Sequence, residues 1–188
     1  MRIIRGKFKN KRLFFPKNLK TRPLKNSVRE NIFNILEHSK KIDIKIENSK
    51  VLDLYSGCGS FGLESLSRNA AEVSFVERDI DALKSLKKNI KNLKVKDEIF
   101  IFEKDVFNFI HHFNLKKRFN IIFMDPPYSD KKFIDIFDLF LEREVFNRNC
   151  VVIVHRETNS LNKLDFKNLN IIENRVYGRS EIFFYKIF

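Results

Sequence analysis

From Lys50 onward, short apolar runs alternate with segments of helical periodicity, and this alternation constrains the fold more than any other feature of the chain. The runs are Val51–Tyr55, Val73–Glu77, Ile99–Phe102, Phe119–Met124 and Cys150–His155. Between them lie Ser60–Ser67, Ile80–Asn92, Val106–Phe113 and Phe133–Leu141, whose apolar residues recur at helical spacing. A parallel neighbour strand needs a crossover long enough to hold a helix, so the pattern predicts an α/β fold with a mostly parallel sheet and helices on both faces. Two last runs, about Leu169–Asn174 and Glu181–Ile187, flank Val176-Tyr177-Gly178-Arg179, a tight-turn sequence. An antiparallel pair should therefore close a seven-stranded sheet. Ahead of the alternation, Asn26 to Ser39 reads as a helix capped by Asn26 or Ser27, with Val28, Ile32, Ile35 and Leu36 facing inward.

Open α/β sheets bind ligands outside the carboxyl ends of their strands, so the residues there carry the functional argument. Four successive strands end at or near an acid: Asp53, Glu77, Asp105 and Asp125. The first runs into Ser56-Gly57-Cys58-Gly59-Ser60-Phe61-Gly62, a glycine loop before a helix. Such a loop usually cradles a dinucleotide pyrophosphate. Here Asp53 stands four residues before Gly57, where it would repel a pyrophosphate and attract an ammonium. Glu77 lies at the distance where ribose hydroxyls are held. A ligand with a ribose and an amino-acid ammonium but no phosphate is S-adenosylmethionine. Asp105 fits an adenine amino group, although helix capping alone explains it equally well.

Asp125-Pro126-Pro127-Tyr128 follows the fourth run. The two prolines fix φ and remove N–H donors, leaving a rigid loop that presents acceptors. An exocyclic amine on a planar ring is a poor nucleophile, because its lone pair is delocalised. The Asp125 carboxylate and the Pro126 carbonyl could accept its two hydrogens and free that lone pair, while Tyr128 stacks on the ring. The glycine loop followed by this tetrapeptide on the fourth strand resembles the class I methyltransferases that act on amino nitrogens.

The N-terminal segment narrows the resemblance. Arg2-Ile3-Ile4-Arg5-Gly6-Lys7, Thr21-Arg22-Pro23, Val28-Arg29-Glu30 and Phe33-Asn34-Ile35-Leu36 are similar to the bacterial 16S rRNA guanine-N2 methyltransferases of the small-subunit head. The similarity runs nearly to the end of the chain, through Tyr177-Gly178. Leu24-Lys25-Asn26 departs from the family, which there carries small polar residues and an acid. The resemblance implies a Rossmann-like methyltransferase domain over residues 26–188 behind an RNA-binding extension, residues 1–25. It implies methyl transfer from S-adenosylmethionine to guanine N2 in 16S rRNA of the small subunit, by Asp125, Pro126, Pro127 and Tyr128. The cofactor would be held by Asp53, Tyr55, Ser56, Gly57, Gly59, Gly62, Glu77, Arg78, Asp105 and Val106. The RNA would be met by Arg2, Arg5, Lys7, Arg12, Thr21, Arg22 and Arg29. No metal is required.

Charge agrees with a polyanionic partner. The net charge is +13, and residues 1–30 hold eleven Lys and Arg against Glu30 alone. Such a concentration is an electrostatic footprint for nucleic acid. Residues Arg2–Phe8 and Lys11–Phe15 around Lys9-Asn10 read as a basic β-hairpin ended by Pro16. The 21 phenylalanines fall mostly at apolar-periodic positions and read as core. Cys58 and Cys150 form no CxxC, and the four histidines, His155 among them, have no ligand-like spacing. No apolar stretch reaches a membrane span or a signal peptide, so a cytoplasmic monomer is expected. An N6-adenine methyltransferase on RNA or DNA fits the same tetrapeptide. A ribosome-assembly factor without turnover fits the charge, and would not need to bind the cofactor.

Overall fold

The computed structural model describes residues 1–16, 24–112, 117–127, 130, 132–158 and 169–187. Its order is α1 (Asn26–His38), β1 (Lys50–Leu54), α2 (Ser60–Ser67), β2 (Glu72–Glu77), α3 (Ile80–Leu93), β3 (Ile99–Glu103), α4 (Val106–His111), β4 (Phe119–Met124), a 3-10 turn (Lys132–Ile134), α5 (Asp135–Glu142), β5 (Phe146–Glu157), β6 (Leu169–Tyr177) and β7 (Ser180–Ile187). The seven strands lie in the order β3-β2-β1-β4-β5-β7-β6. The first five are mutually parallel, and β7 runs antiparallel between β5 and β6. The β6–β7 turn is two residues, Gly178-Arg179, with Gly178 at φ 61°. Both strands are longer than the sequence pattern predicts, because a turn that tight lets pairing continue to Tyr177 and Ser180.

Strand alternation builds two cores. Val51, Val73, Phe75, Ile121, Phe123, Val151 and Ile153 face one side with α1, α2 and α3. Leu52, Leu54, Val76, Ile122, Met124, Val152 and Val154 face the other with α4 and α5. Phe61 of α2 stacks between Phe33 of α1 and Phe123 of β4, with centroids 4.9 and 4.1 Å away. Aromatic pairs of this kind add about 0.5–1.5 kcal/mol beyond buried area. Gly62 sits where a Cβ would meet the Phe75 ring at 2.4 Å, so α2 lies as close to the sheet as it does only with glycine there. No helix among the described residues is long and apolar enough to cross a membrane.

The N-terminal arm differs from the expected hairpin. It doubles back through one antiparallel bridge, Arg2–Arg12, and through bonds such as Ile3 N–H to the Lys11 carbonyl at 3.0 Å. Residues 5–10 form turns and not a strand. The reason is competition for the backbone donors. Ile4 and Arg5 N–H donate to the Glu64 carboxylate at 2.8 and 3.0 Å, and Lys7 N–H donates to the Ser67 carbonyl at 2.8 Å. The arm is thereby fastened along α2, every residue of which is buried. Ile3, Leu13 and Leu24 belong to the main core, so residues 1–16 do not stand apart from the sheet domain.

Helix α1 is also entered differently. Lys25, whose ammonium cannot accept a hydrogen bond, is its N-cap residue, and the Asn26 amide oxygen is taken by Arg29 at 3.2 Å.

Candidate methyl-transfer site

The order of strands reverses beside β1, and a cavity of about 580 Å³ opens there at the carboxyl ends of the parallel strands. That volume lies within the usual range for small-ligand sites. Asp53, Glu77, Asp105 and Asp125 all line it. Four residues separated by up to 72 positions are gathered because each lies within two residues of the carboxyl end of a strand of one parallel sheet.

Asp53 lies at the back, 1 % exposed. Its Oδ2 accepts Gly62 N–H at 2.9 Å in the first turn of α2. Burial drives its pKa well above the ordinary carboxylate range; the Gly62 bond opposes this, and Asp125 and Glu77 add to the rise. A cation delivered to this wall would relieve the repulsion. Glu77 accepts three backbone N–H bonds: Gly57 at 2.7 Å on Oε2, and Arg78 and Asp79 at 2.8 Å each on Oε1. A carboxylate has about four lone-pair sites, so Oε2 keeps one for a hydroxyl. Asp105 caps α4 by accepting Phe107 N–H at 3.0 Å and pairs with the exposed Arg78 guanidinium at 3.0 Å. Tyr55 donates its hydroxyl to Asp130 at 3.2 Å, and burial followed by Asp130 raises its pKa.

Tyr55, Ser56, Gly57, Arg78 and Val106 stand on the wall. Gly59 and Gly62 do not. Gly59 precedes α2 as its N-cap residue, where a Cβ would meet the Leu86 side chain at 2.4 Å, and Gly62 is packed on the Phe75 ring.

Asp125 and the two prolines form the opposite wall. Tyr128 lies outside the described residues, as do Thr21 and Arg22. Two residues of β5 that sequence reasoning left out hold this loop. His155 is buried and its Nδ1 lies 2.8 Å from Asp125 Oδ1. With Asp125 ionised, the ring carries its proton on Nδ1 and donates it. Arg156 is 2 % exposed and donates to the carbonyls of Pro126 and Pro127 at 3.2 and 3.0 Å. Its guanidinium lies over the Phe133 ring, 4.6 Å from the centroid. Consecutive strand residues point to opposite faces, so the pair grips the loop from both sides of the sheet. The spacing of the histidines argues against a metal ligand set and says nothing of this contact. The sequence signal is a His-Arg dipeptide directly after the five apolar residues Cys150–Val154.

The predicted RNA-binding residues divide. Arg2, Arg5, Lys7 and Arg12 are exposed, with Arg5 paired to Glu37 at 3.2 Å and Lys7 to Glu98 at 3.8 Å. Arg29 is 0 % exposed and cannot meet RNA. Its guanidinium donates to the Arg2 carbonyl and lies 3.9 Å from Glu64, and burial lowers its pKa against the pull of Glu64. The arginine that looked like part of a basic face is an internal tie between α1, α2 and the arm. Leu24 and Lys25, where the sequence departs from its family, are at the cavity wall beside Phe15 and Pro16.

Residues 1–186 match the family described as Conserved hypothetical protein 95. Ribosomal RNA small subunit methyltransferase D of Buchnera aphidicola (subsp. Baizongia pistaciae) is 30 % identical over 164 residues, covering 87 % of this chain and 79 % of its own length. The solved structure of yhhF from Escherichia coli, a methyltransferase by assignment, superimposes with a TM-score of 0.84 at 26 % identity, covering 100 % of this chain and 97 % of that one. The methyltransferase-assigned SMU.776, complexed with SAH, shares the fold at a TM-score of 0.65 and 14 % identity, over 86 % of this chain and 48 % of its own. The chain thus belongs to the Conserved hypothetical protein 95 family and, with it, to the kin of the ribosomal RNA small subunit methyltransferases D.

Proposed function

We propose that the protein transfers a methyl group from S-adenosylmethionine to the exocyclic N2 amine of a guanine in 16S rRNA of the small ribosomal subunit. The observation that carries the reading is the Asp125 carboxylate. His155 holds Oδ1, while the residue lines the same cavity as Asp53 and Glu77, leaving Oδ2 for a substrate amine. S-adenosylmethionine supplies an activated methyl on a cationic sulfur, which departs as a neutral thioether. The chain's own groups fit it: among the described residues Asp53 has no cationic partner, and Glu77 retains one lone pair for a ribose hydroxyl.

Asp125 Oδ2 and the remaining lone pair of the Pro126 carbonyl accept the two amine hydrogens. The nitrogen lone pair is then turned toward the methyl. As the N–C bond forms, the S–C pair returns to sulfur and the nitrogen sheds one proton, which Asp125 is placed to receive. Positioning and hydrogen-bond orientation supply the acceleration. The base must leave its stack to reach the loop. The exposed basic arm supports an RNA partner, and the names of relatives support rRNA of the small subunit.

Methyl-labelled S-adenosylmethionine, incubated with small subunits lacking rRNA amino methylation and then digested to nucleosides, tests the reading. The expected product is 2-methylguanosine, with turnover lowered about 10²-fold or more in Asp125→Ala. Label in N6-methyladenosine would transfer the reaction to adenine. No label with any subunit or naked rRNA would remove the enzyme reading.

A further inference from the structure

Helix α3 carries a second basic surface. Lys84, Lys87, Lys88 and Lys91 occupy positions i, i+3, i+4 and i+7, one stripe of the helix, and all are exposed. The other side of α3 buries Ala82, Leu86, Asn89 and Leu93. With Lys94 and Lys96 the segment 84–96 holds six lysines and no acid. Lys84 and Lys87 are paired with Asp81 and Glu103. Among the described residues, Lys88, Lys91, Lys94 and Lys96 have no acid within ion-pair reach.

This stripe is joined to the N-terminal arm. Asn89, 0 % exposed, accepts Phe14 N–H at 2.7 Å and donates to the Phe14 carbonyl at 3.0 Å. Asn92 donates to the Arg12 carbonyl at 3.4 Å, and Lys88 lies over the Phe14 ring, 3.9 Å from its centroid. The next two residues, Phe15 and Pro16, reach the cavity wall. Lysines of α3, arginine of the arm and the mouth of the cavity therefore follow one another on a single surface.

We infer that the α3 lysine stripe and the arm together form one track for the RNA phosphate backbone, which guides the target nucleotide into the cavity. The inference rests on the proposed RNA substrate. A lone lysine-rich helix face is ordinarily only a solvated one. This face is locked to the arm by buried Asn89 and runs on to the site, while its unpaired cations match the polyanion that the reading requires.

The test is the salt dependence of binding to 16S rRNA by the full chain carrying Lys88→Gln, Lys91→Gln and Lys94→Gln together, with its melting temperature followed in parallel. Each lost phosphate contact lowers the slope of log K against log salt by roughly 0.7–0.9, so three should lower it by roughly 2–3. The matching Lys→Arg triple should restore the slope, and Arg148→Gln, at the amino-terminal end of β5, should leave it unchanged. A Gln triple that melts normally and keeps the wild-type slope overturns the track. If the wild-type protein itself shows no salt-dependent binding to rRNA, the substrate reading fails and the track with it.

Discussion

Two buried carboxylates meet α2 and are treated oppositely. Glu64, on the helix, is 0 % exposed and receives Ile4 and Arg5 N–H and the Arg68 Nε–H at 3.0 Å, with Arg29 at 3.9 Å. Asp53, under the helix's first turn, receives the Gly62 N–H and faces Asp125 and Glu77. A buried charge is tolerated where it is paired and bonded, and is costly where it is not. Glu64 is the knot that ties the arm, α1 and α2 together. Asp53 carries electrostatic tension that a cationic ligand would discharge. Burial alone, therefore, does not separate a structural acid from a binding one; the sign of the surrounding charges does.

The largest effect should come from undoing the compensated acid. Glu64→Ala removes the acceptor of two backbone donors and of the Arg68 Nε–H, and the carboxylate that faces buried Arg29, and should cost about 3–5 kcal/mol in urea denaturation. Glu64→Gln, which keeps an acceptor, should cost less. Equal losses would mean that packing, and not the charge, is what matters at Glu64.

A smaller effect is expected from the loop grip on the far wall of the cavity. His155→Ala should lower kcat about tenfold to a hundredfold while leaving KM for RNA near its wild-type value, because the ring orients Asp125 and does not bind the polymer. His155→Gln can still donate to Asp125 and should recover part of the loss. Arg156→Gln should lower kcat similarly by loosening both proline carbonyls. A rise in KM without a change in kcat would reassign these two residues to substrate binding.

The strand ends were legible because parallel strands place their last residues on one rim whatever the loops do, so Asp53, Glu77, Asp105 and Asp125 converge as expected. The two-sided core was legible too, since alternation along each strand fixes which residues face which helices. Residues whose role depends on a distant partner were not. His155 and Arg156 act on a loop about thirty positions earlier, and the His-Arg dipeptide after the apolar run does not by itself point there. The arm read as a hairpin because the pairing partner of its backbone, Glu64, lies some sixty residues on, within an apolar helix where an acid is itself anomalous. Arg29 read as surface charge for the same reason. Gly59 and Gly62 were legible as a loop motif, while their packing was not: the first leads into α2 and the second admits the Phe75 ring.

Asp53→Asn tests the contrast most directly, with melting of the ligand-free protein and calorimetry of S-adenosylmethionine binding measured together across pH. The folded-state pKa of Asp53 is raised above its unfolded value, so the wild-type protein loses stability as pH climbs from about 3.8 through that folded pKa. The asparagine can still accept Gly62 N–H and escapes this loss. The variant should melt higher than wild type at neutral pH, with a gap that shrinks toward acid, and should bind the cofactor more weakly. A variant that melts lower, or that binds S-adenosylmethionine as tightly as wild type, would contradict the claim that Asp53 is held under tension for a cationic ligand.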